Sequence, residues 1–183
     1  MIGTAFDATL ARAQTGDEAA FASIFRDVQP ALLRYLRVIA PDAEDVAGET
    51  WAQVVTGLAG FHGEEQAFRA WLFTIARHRA VDAGRSRARR PELPLELSEM
   101  TGHPTSPDAA DLALEAFSSR AVVALIAKLP RDQAEIIMLR VVAGLDTADV
   151  ARMVDKKPGA VRVAAHRGLR RLAELAERAG VTQ

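Results

Sequence analysis

Residues 147–172 read TADVARMVDKKPGAVRVAAHRGLRRL, and the reading of this stretch decides the fold. A short amphipathic segment puts Val150, Ala151 and Val154 on one face. A tight turn follows through Asp155, Lys156 and Lys157. Pro158 comes next, suited to a first helical turn, where its missing N–H has no intrahelical partner to lose. In the last helix Val161, Ala165, Leu169 and Leu172 are predicted to face inward. Arg162, His166 and Arg170 form an outer stripe, flanked by Arg167 and Arg171. Ala151 is small enough to let two helices cross closely. A helix-turn-helix needs this arrangement, because its second helix lies in the major groove and must present base-reading and phosphate-neutralising side chains. The segment also fits an ordinary helical hairpin with a solvated basic face.

Working outward, period-3.6 apolar patterns dominate the chain and alternating strand patterns are scarce. Upstream of the hairpin, Val122, Val123, Leu125, Ile126 and Leu129 predict one helix. Pro130 starts another, carrying Ile136, Ile137, Leu139 and Val141 and ending near Gly144. Residues 91–118 differ: four prolines, six acids and no Lys or Arg mark an acidic linker. Before it, Phe68, Trp71, Leu72 and Ile75 give the buried stripe of a helix over 65–87. Val46, Thr50, Val54 and Leu58, with Trp51 and Val55 beside them, give one over 43–58, with Asp42 as its cap. Asp45, Glu49 and Gln53 share a polar stripe on that helix. The first long helix is expected from Asp17, with Thr15 and Glu18 at capping-box spacing and a break or kink at Pro30. Trp51 and Trp71 are expected in the core. The fold class is therefore all-α, with two small helical domains, 1–90 and 119–183, joined by the flexible acidic linker 91–118.

The formal net charge is −1, but it is segregated. Residues 1–70 hold ten acids and five bases, whereas residues 77–90 hold six arginines and one aspartate. Eight bases against three acids lie between Arg152 and Arg178. Clustered bases are the electrostatic footprint of nucleic-acid binding. In WLFTIARHRAVDAGRSRARR (71–90) apolar and aromatic residues sit beside arginine, as single-stranded or melted DNA requires. A solvated helix end, favoured by the helix dipole and with Arg79 paired to Asp82, is an equal account of that run taken alone. A solvated face is likewise an account of the Asp45, Glu49, Gln53 stripe. Cysteine is absent, which excludes disulfides and thiolate chemistry. No nucleophile–base constellation, Gly-rich phosphate loop or metal-ligand spacing is present, and Glu64 and Glu65 read as surface residues, so neither an enzyme nor a cofactor is expected. The N-terminus lacks a signal-peptide pattern and no apolar run reaches membrane-spanning length. A soluble cytoplasmic protein without membrane insertion is expected.

Taken together these parts resemble the extracytoplasmic-function (ECF) subfamily of sigma-70-type RNA polymerase sigma factors. GDEAAFASIFRDVQPALLRYL (16–36) looks like the start of that family's region-2 domain. DAEDVAGETWAQVV (42–55) resembles the helix that grips the clamp helices of core polymerase. FRAWLFTIARHRAVDAGRSRARR (68–90) resembles the promoter-melting and minus-ten-reading segment. Residues 125–172 resemble the region-4 helix-turn-helix domain that reads the minus-thirty-five element. The resemblance implies Asp45, Glu49 and Gln53 at the polymerase clamp. It implies Phe61, His62 and Gly63 at a flipped minus-ten base, with Arg77, His78 and Arg85 on the melted strand. Lys157, Arg162, His166 and Arg167 would serve the minus-thirty-five duplex. It further implies a polymerase-flap contact through an apolar region-4 surface, and control by an anti-sigma factor in a stress or envelope response. The chain departs from the family where Gly48 replaces glutamine, His78 replaces asparagine and Ala160 replaces threonine, which bears on clamp affinity and promoter preference. Two rivals share some of these features: a sigma-like decoy that titrates an anti-sigma factor, and a dimeric helix-turn-helix repressor acting without polymerase.

Overall fold

The computed structural model describes residues 2–89 and 121–178. The acidic segment 91–118 read as a linker therefore lies outside the described residues. After a 3-10 turn at Gly3–Ala5 come α1 (Phe6–Gln14), α2 (Glu18–Ile39), α3 (Ala43–Leu58) and α4 (Glu65–Arg89). The second group holds α5 (121–126), α6 (Arg131–Ile137), which runs on as a π-helical turn over Met138–Val142, then α7 (Thr147–Met153) and α8 (Pro158–Arg178). Among the described residues there is no strand.

One helix lies outside the periodic patterns, and three expectations need correcting. The N-terminal residues form a helix, α1, that docks Phe6, Leu10 and Ala13 into the core. The capping box at Thr15 and Glu18 is not made: the Asp17 carboxylate caps α2 by accepting from the Ala20 N–H, and the Thr15 hydroxyl donates back to the Arg12 carbonyl. Pro30 does not break α2, which runs continuously across it. Val28, Ala31 and Leu32 around the proline are buried, so tertiary packing outweighs one missing backbone hydrogen bond. Asp42 precedes α3 without a side-chain cap; its carboxylate meets Arg87 at 3.4 Å instead.

The core of the first group centres on Ile24, Leu32, Leu36, Val54, Phe68, Leu72 and Phe73, all fully enclosed. Trp51 is buried, as expected, with its indole N–H donating to Gln29 Oε1 at 2.6 Å; Phe21 and Phe25 pack on its ring at 5.8 and 4.9 Å between centroids. Trp71 is only half-buried and stacks on Phe61. In the second group Ile136, Ile137, Met138, Leu139 and Leu145 form the centre, with Val150, Ala151 and Val161 closing it from the hairpin.

Apart from Leu125, the buried apolar residues of both groups form one continuous cluster. Polar links reinforce this contact. Arg69 is buried in α4; it donates to the Ala143 carbonyl at 3.0 Å and pairs with Asp27 at 3.1 Å. Gln66 donates to the Gly144 carbonyl at 3.2 Å. Glu135 of α6 accepts from Arg77 Nε at 2.8 Å and from the Tyr35 hydroxyl at 3.3 Å. Burial, and next the neighbouring Glu135 charge, hold the Tyr35 phenol well above its ordinary value.

Candidate nucleic-acid interface

The hairpin of α7 and α8 is built as its residue pattern requires. Asp146 caps α7 by accepting from the Asp149 N–H at 2.7 Å. That bond chiefly lowers the Asp146 carboxyl below its ordinary range. The turn is closed at Asp155, whose φ of 52° is left-handed, a conformation aspartate tolerates better than most residues. α8 then starts on Pro158. Its buried contacts are Val161 and Gly168, with Ala164, Ala165, Leu172 and Leu175 half-buried against the core.

Leu169 is the exception to the expected inward stripe: it is 47% exposed. The reason is the close crossing of α8 over α6. A Cβ on Gly168 would stand 2.6 Å from Ile137 Cδ1 and 3.3 Å from Gln133 Cβ. The backbone at Gly168 itself makes the contact and turns Leu169 outward. Lys157, Arg162, His166, Arg167, Arg170 and Arg171 are all exposed, so the expected basic face is presented to solvent.

On α3 the side chains of Asp45, Glu49 and Gln53 are exposed along one face, beside Gly48 and Ala52. Gln53 is tied down, its amide oxygen accepting from Arg79 Nε and Nη2 at 3.1 and 2.9 Å. The alternative pairing of Arg79 with Asp82 is thus not formed; Asp82 lies 3.8 Å from Arg85. Glu44, in the first turn of α3, binds Arg37 at 2.8 Å, and that hydrogen bond lowers its carboxyl below the ordinary range.

The loop between α3 and α4 brings Phe61, His62 and Gly63 together. Phe61 is half-buried, stacked on Trp71 at 5.1 Å and edge-on to Phe68 at 5.5 Å. Gly63 has φ of 155°, and a Cβ there would meet Ala67 Cβ at 3.0 Å and the Phe61 ring at 3.1 Å. Its lack of a side chain is what lets the loop close over the ring. His62 is exposed. Two supports of this loop come from the N-terminus. Gln14 of α1 donates to the Leu58 and Phe61 carbonyls at 2.9 and 2.7 Å. Glu65, expected as a surface residue, is half-buried and accepts from the Ile2 and Gly3 N–H groups at 3.0 and 2.7 Å.

Further along α4, His78 and Arg85 are exposed, while Arg77 is half-buried in its ion pair with Glu135. Arg77 therefore stands apart from the other candidate residues, committed to the contact between the two helical groups. Among the described residues no group of His, Cys, Asp and Glu is placed to hold a metal ion, and no helix is long and apolar enough to cross a membrane.

Comparison with known proteins gives the family. The family model for Sigma-70 region 2 matches residues 24–90, and that for Sigma-70, region 4 matches residues 119–172. The ECF RNA polymerase sigma factor SigD of Mycobacterium tuberculosis is 36% identical over 180 residues, covering 94% of this chain and 84% of the relative. The ECF RNA polymerase sigma factor ShbA of Streptomyces griseus is 35% identical over 184 residues, covering 95% and 96%. Among solved structures, CnrH in complex with the cytosolic domain of CnrY superposes with a TM-score of 0.61 at 23% identity, covering 95% of this chain and 98% of that one. The sigma factor RpoE in complex with the anti-sigma factor NepR from Bartonella quintana gives 0.60 at 23% identity, covering 86% and 96%. With both sigma-70 regions in order on one chain, and relatives of this identity matched over nearly their whole length, the protein belongs to the ECF RNA polymerase sigma factors.

Proposed function

We propose that the chain divides its work between a region-2 domain over 1–90 and a region-4 domain over 119–183, joined by the acidic stretch 91–118. The observation that carries this reading is the segregation of charge onto separate exposed faces. Asp45 and Glu49 mark an acidic face on α3, and Lys157, Arg162, His166 and Arg167 a basic one on α8. A protein partner of positive charge suits the first and a duplex phosphate backbone the second.

In this reading Asp45, Glu49 and Gln53 meet the clamp helices of core polymerase. Phe61, His62 and Gly63 receive a flipped minus-ten base, with the Phe61–Trp71 stack as the platform, and His78 and Arg85 follow the melted strand. Arg77 joins them once the pair with Glu135 is broken. The α8 residues serve the minus-thirty-five duplex. The polymerase supplies catalysis, so the factor needs no reacting groups and works in the cytoplasm as a binding subunit. Control by an anti-sigma factor, as the RpoE–NepR complex exemplifies for another sigma factor, fits two helical groups whose partner-binding faces lie open, and a stress or envelope response is the setting in which such control is useful.

Two variants separate the surfaces. Glu49→Lys is expected to weaken capture of purified core polymerase while leaving the α8 face unaltered. Arg162→Ala is expected to keep core binding and lower transcription from promoters that the wild-type holoenzyme selects. Core binding unaffected by Glu49→Lys, or tight sequence-specific duplex binding in the absence of polymerase, would contradict the reading.

A further inference from the structure

Val163 stands out on α8. It is 49% exposed, with exposed Arg162 before it and exposed His166 and Arg167 one turn on, and no packing need explains an apolar side chain there. Its direction follows from the helix repeat of about 100° per residue. Val161 is fully buried and Gly168 makes the tightest approach to α6; these two fix the inward side. Val163 lies two positions after Val161, roughly 200° around the axis, so it points away from the core. Arg162, His166, Arg167 and Arg170 lie on the same outward half. Val163 is thus an apolar spot within a basic surface, in the N-terminal half of the helix, the half that approaches base edges in a helix-turn-helix.

The occupant follows from groove chemistry. A basic surface selects the phosphate backbone, which brings the middle of the face onto the major-groove floor. The apolar group exposed on that floor is the 5-methyl of thymine, and an aliphatic side chain long enough to reach it reads it by contact alone. The geometry points to Val163 as a specificity-determining residue that packs on a thymine methyl of the minus-thirty-five element. This inference rests on the sigma-factor reading of α8 given above. It adds an apolar contact to an otherwise polar set of candidates, and it predicts that one thymine in the element is required for its methyl group and not only for its hydrogen-bonding edge.

The test uses reconstituted holoenzyme and promoter duplexes selected by the wild-type holoenzyme from a library randomised upstream. Each thymine of the selected minus-thirty-five element is replaced in turn by deoxyuridine, which removes the methyl and nothing else. At one position the wild-type holoenzyme is expected to lose about fourfold in affinity, the value of burying one methylene-sized group. Val163→Ala holoenzyme is expected to bind the thymine and deoxyuridine versions equally at that position, while keeping the wild-type response to salt. Val163 is exposed and alanine favours helix, so this variant retains its fold. The assignment is overturned if every thymine-to-deoxyuridine change is neutral for the wild type, if the selected element contains no thymine, or if Val163→Ala retains the methyl dependence. Failure of the holoenzyme to select any upstream element overturns the sigma-factor reading of α8 along with it, so the two failures are distinguishable.

Discussion

Gly48, Gly84 and Gly168 each lie inside a described helix, and the same substitution is expected to have opposite outcomes among them. Gly48 in α3 and Gly84 in α4 have nothing within 4 Å of where a Cβ would stand, whereas at Gly168 that atom would meet Ile137 Cδ1 at 2.6 Å and Gln133 Cβ at 3.3 Å. Alanine in place of glycine in a helix interior gains about 1 kcal/mol, from reduced freedom of the unfolded chain and better helix propensity. Gly48→Ala and Gly84→Ala should each stabilise the protein by up to about that amount. At Gly168 the same gain is set against overpacking, which costs about 1–3 kcal/mol in a filled core. Ile137 is 1% exposed and has little room to withdraw. Gly168→Ala should therefore lie between about neutral and about 2 kcal/mol destabilising. The difference between the sites is the sharper quantity, about 1–3 kcal/mol, or several degrees in melting temperature for a chain of this size. Urea unfolding followed by far-ultraviolet circular dichroism measures all three against wild type. Equal stabilisation by all three variants would refute the close crossing of α8 over α6, and with it the outward placement of Leu169.

Other consequences follow from individual contacts. Trp51→Ala should destabilise by about 3–5 kcal/mol, as for other large core truncations, measured by the same unfolding curves, whereas a surface change such as Ala52→Ser should leave them within error. Glu135→Ala removes the acceptor of the fully buried Tyr35 hydroxyl and the partner of Arg77, and should cost about 1–3 kcal/mol for the unsatisfied group. Spectroscopic titration of Tyr35, the only tyrosine, should show ionisation well above 10 in the wild type and at lower pH in that variant. Asp17, held below its ordinary value of 3.8 mainly by the Ala20 N–H, contributes stability that is present above that value and lost as pH falls through its lower folded value. Acid unfolding of Asp17→Asn should accordingly show less loss of stability across that interval than wild type. For promoter binding by holoenzyme, Arg162→Ala should reduce the slope of log affinity against log salt by about one.

The parts of the fold legible in the sequence are those governed by helical periodicity. α3, α4 and the α7–α8 hairpin fall where the apolar repeats of Val46–Leu58, Phe68–Ile75 and Val150–Val161 put them. What escaped periodicity was decided by long-range contact. α1 is short and its apolar residues Phe6, Leu10 and Ala13 are sparse, so its helix is secured by docking on the core rather than by an evident pattern. The continuity of α2 through Pro30 depends likewise on burial of the flanking turns. At the candidate sites, exposure of Asp45, Glu49, Arg162, His166 and Arg167 followed from helical spacing. The pairing of Arg77 with Glu135 did not, because the partners are 58 residues apart and no local signal joins them. Arg69 was missed for the same reason: its carbonyl partner at Ala143 is 74 residues away. Val163 was legible in principle, since its spacing from Val161 already turns it outward, but an apolar residue in a basic helix is easily read as core.

Directed transcription tests the central claim most directly. Purified protein would be mixed with sigma-free core RNA polymerase and a genomic promoter library, and the transcripts sequenced. The account predicts discrete start sites, each preceded by two shared elements at fixed spacing, with initiation lost when the protein is omitted. Stable binding to core polymerase without specific transcripts, or duplex binding that ignores polymerase altogether, would contradict it.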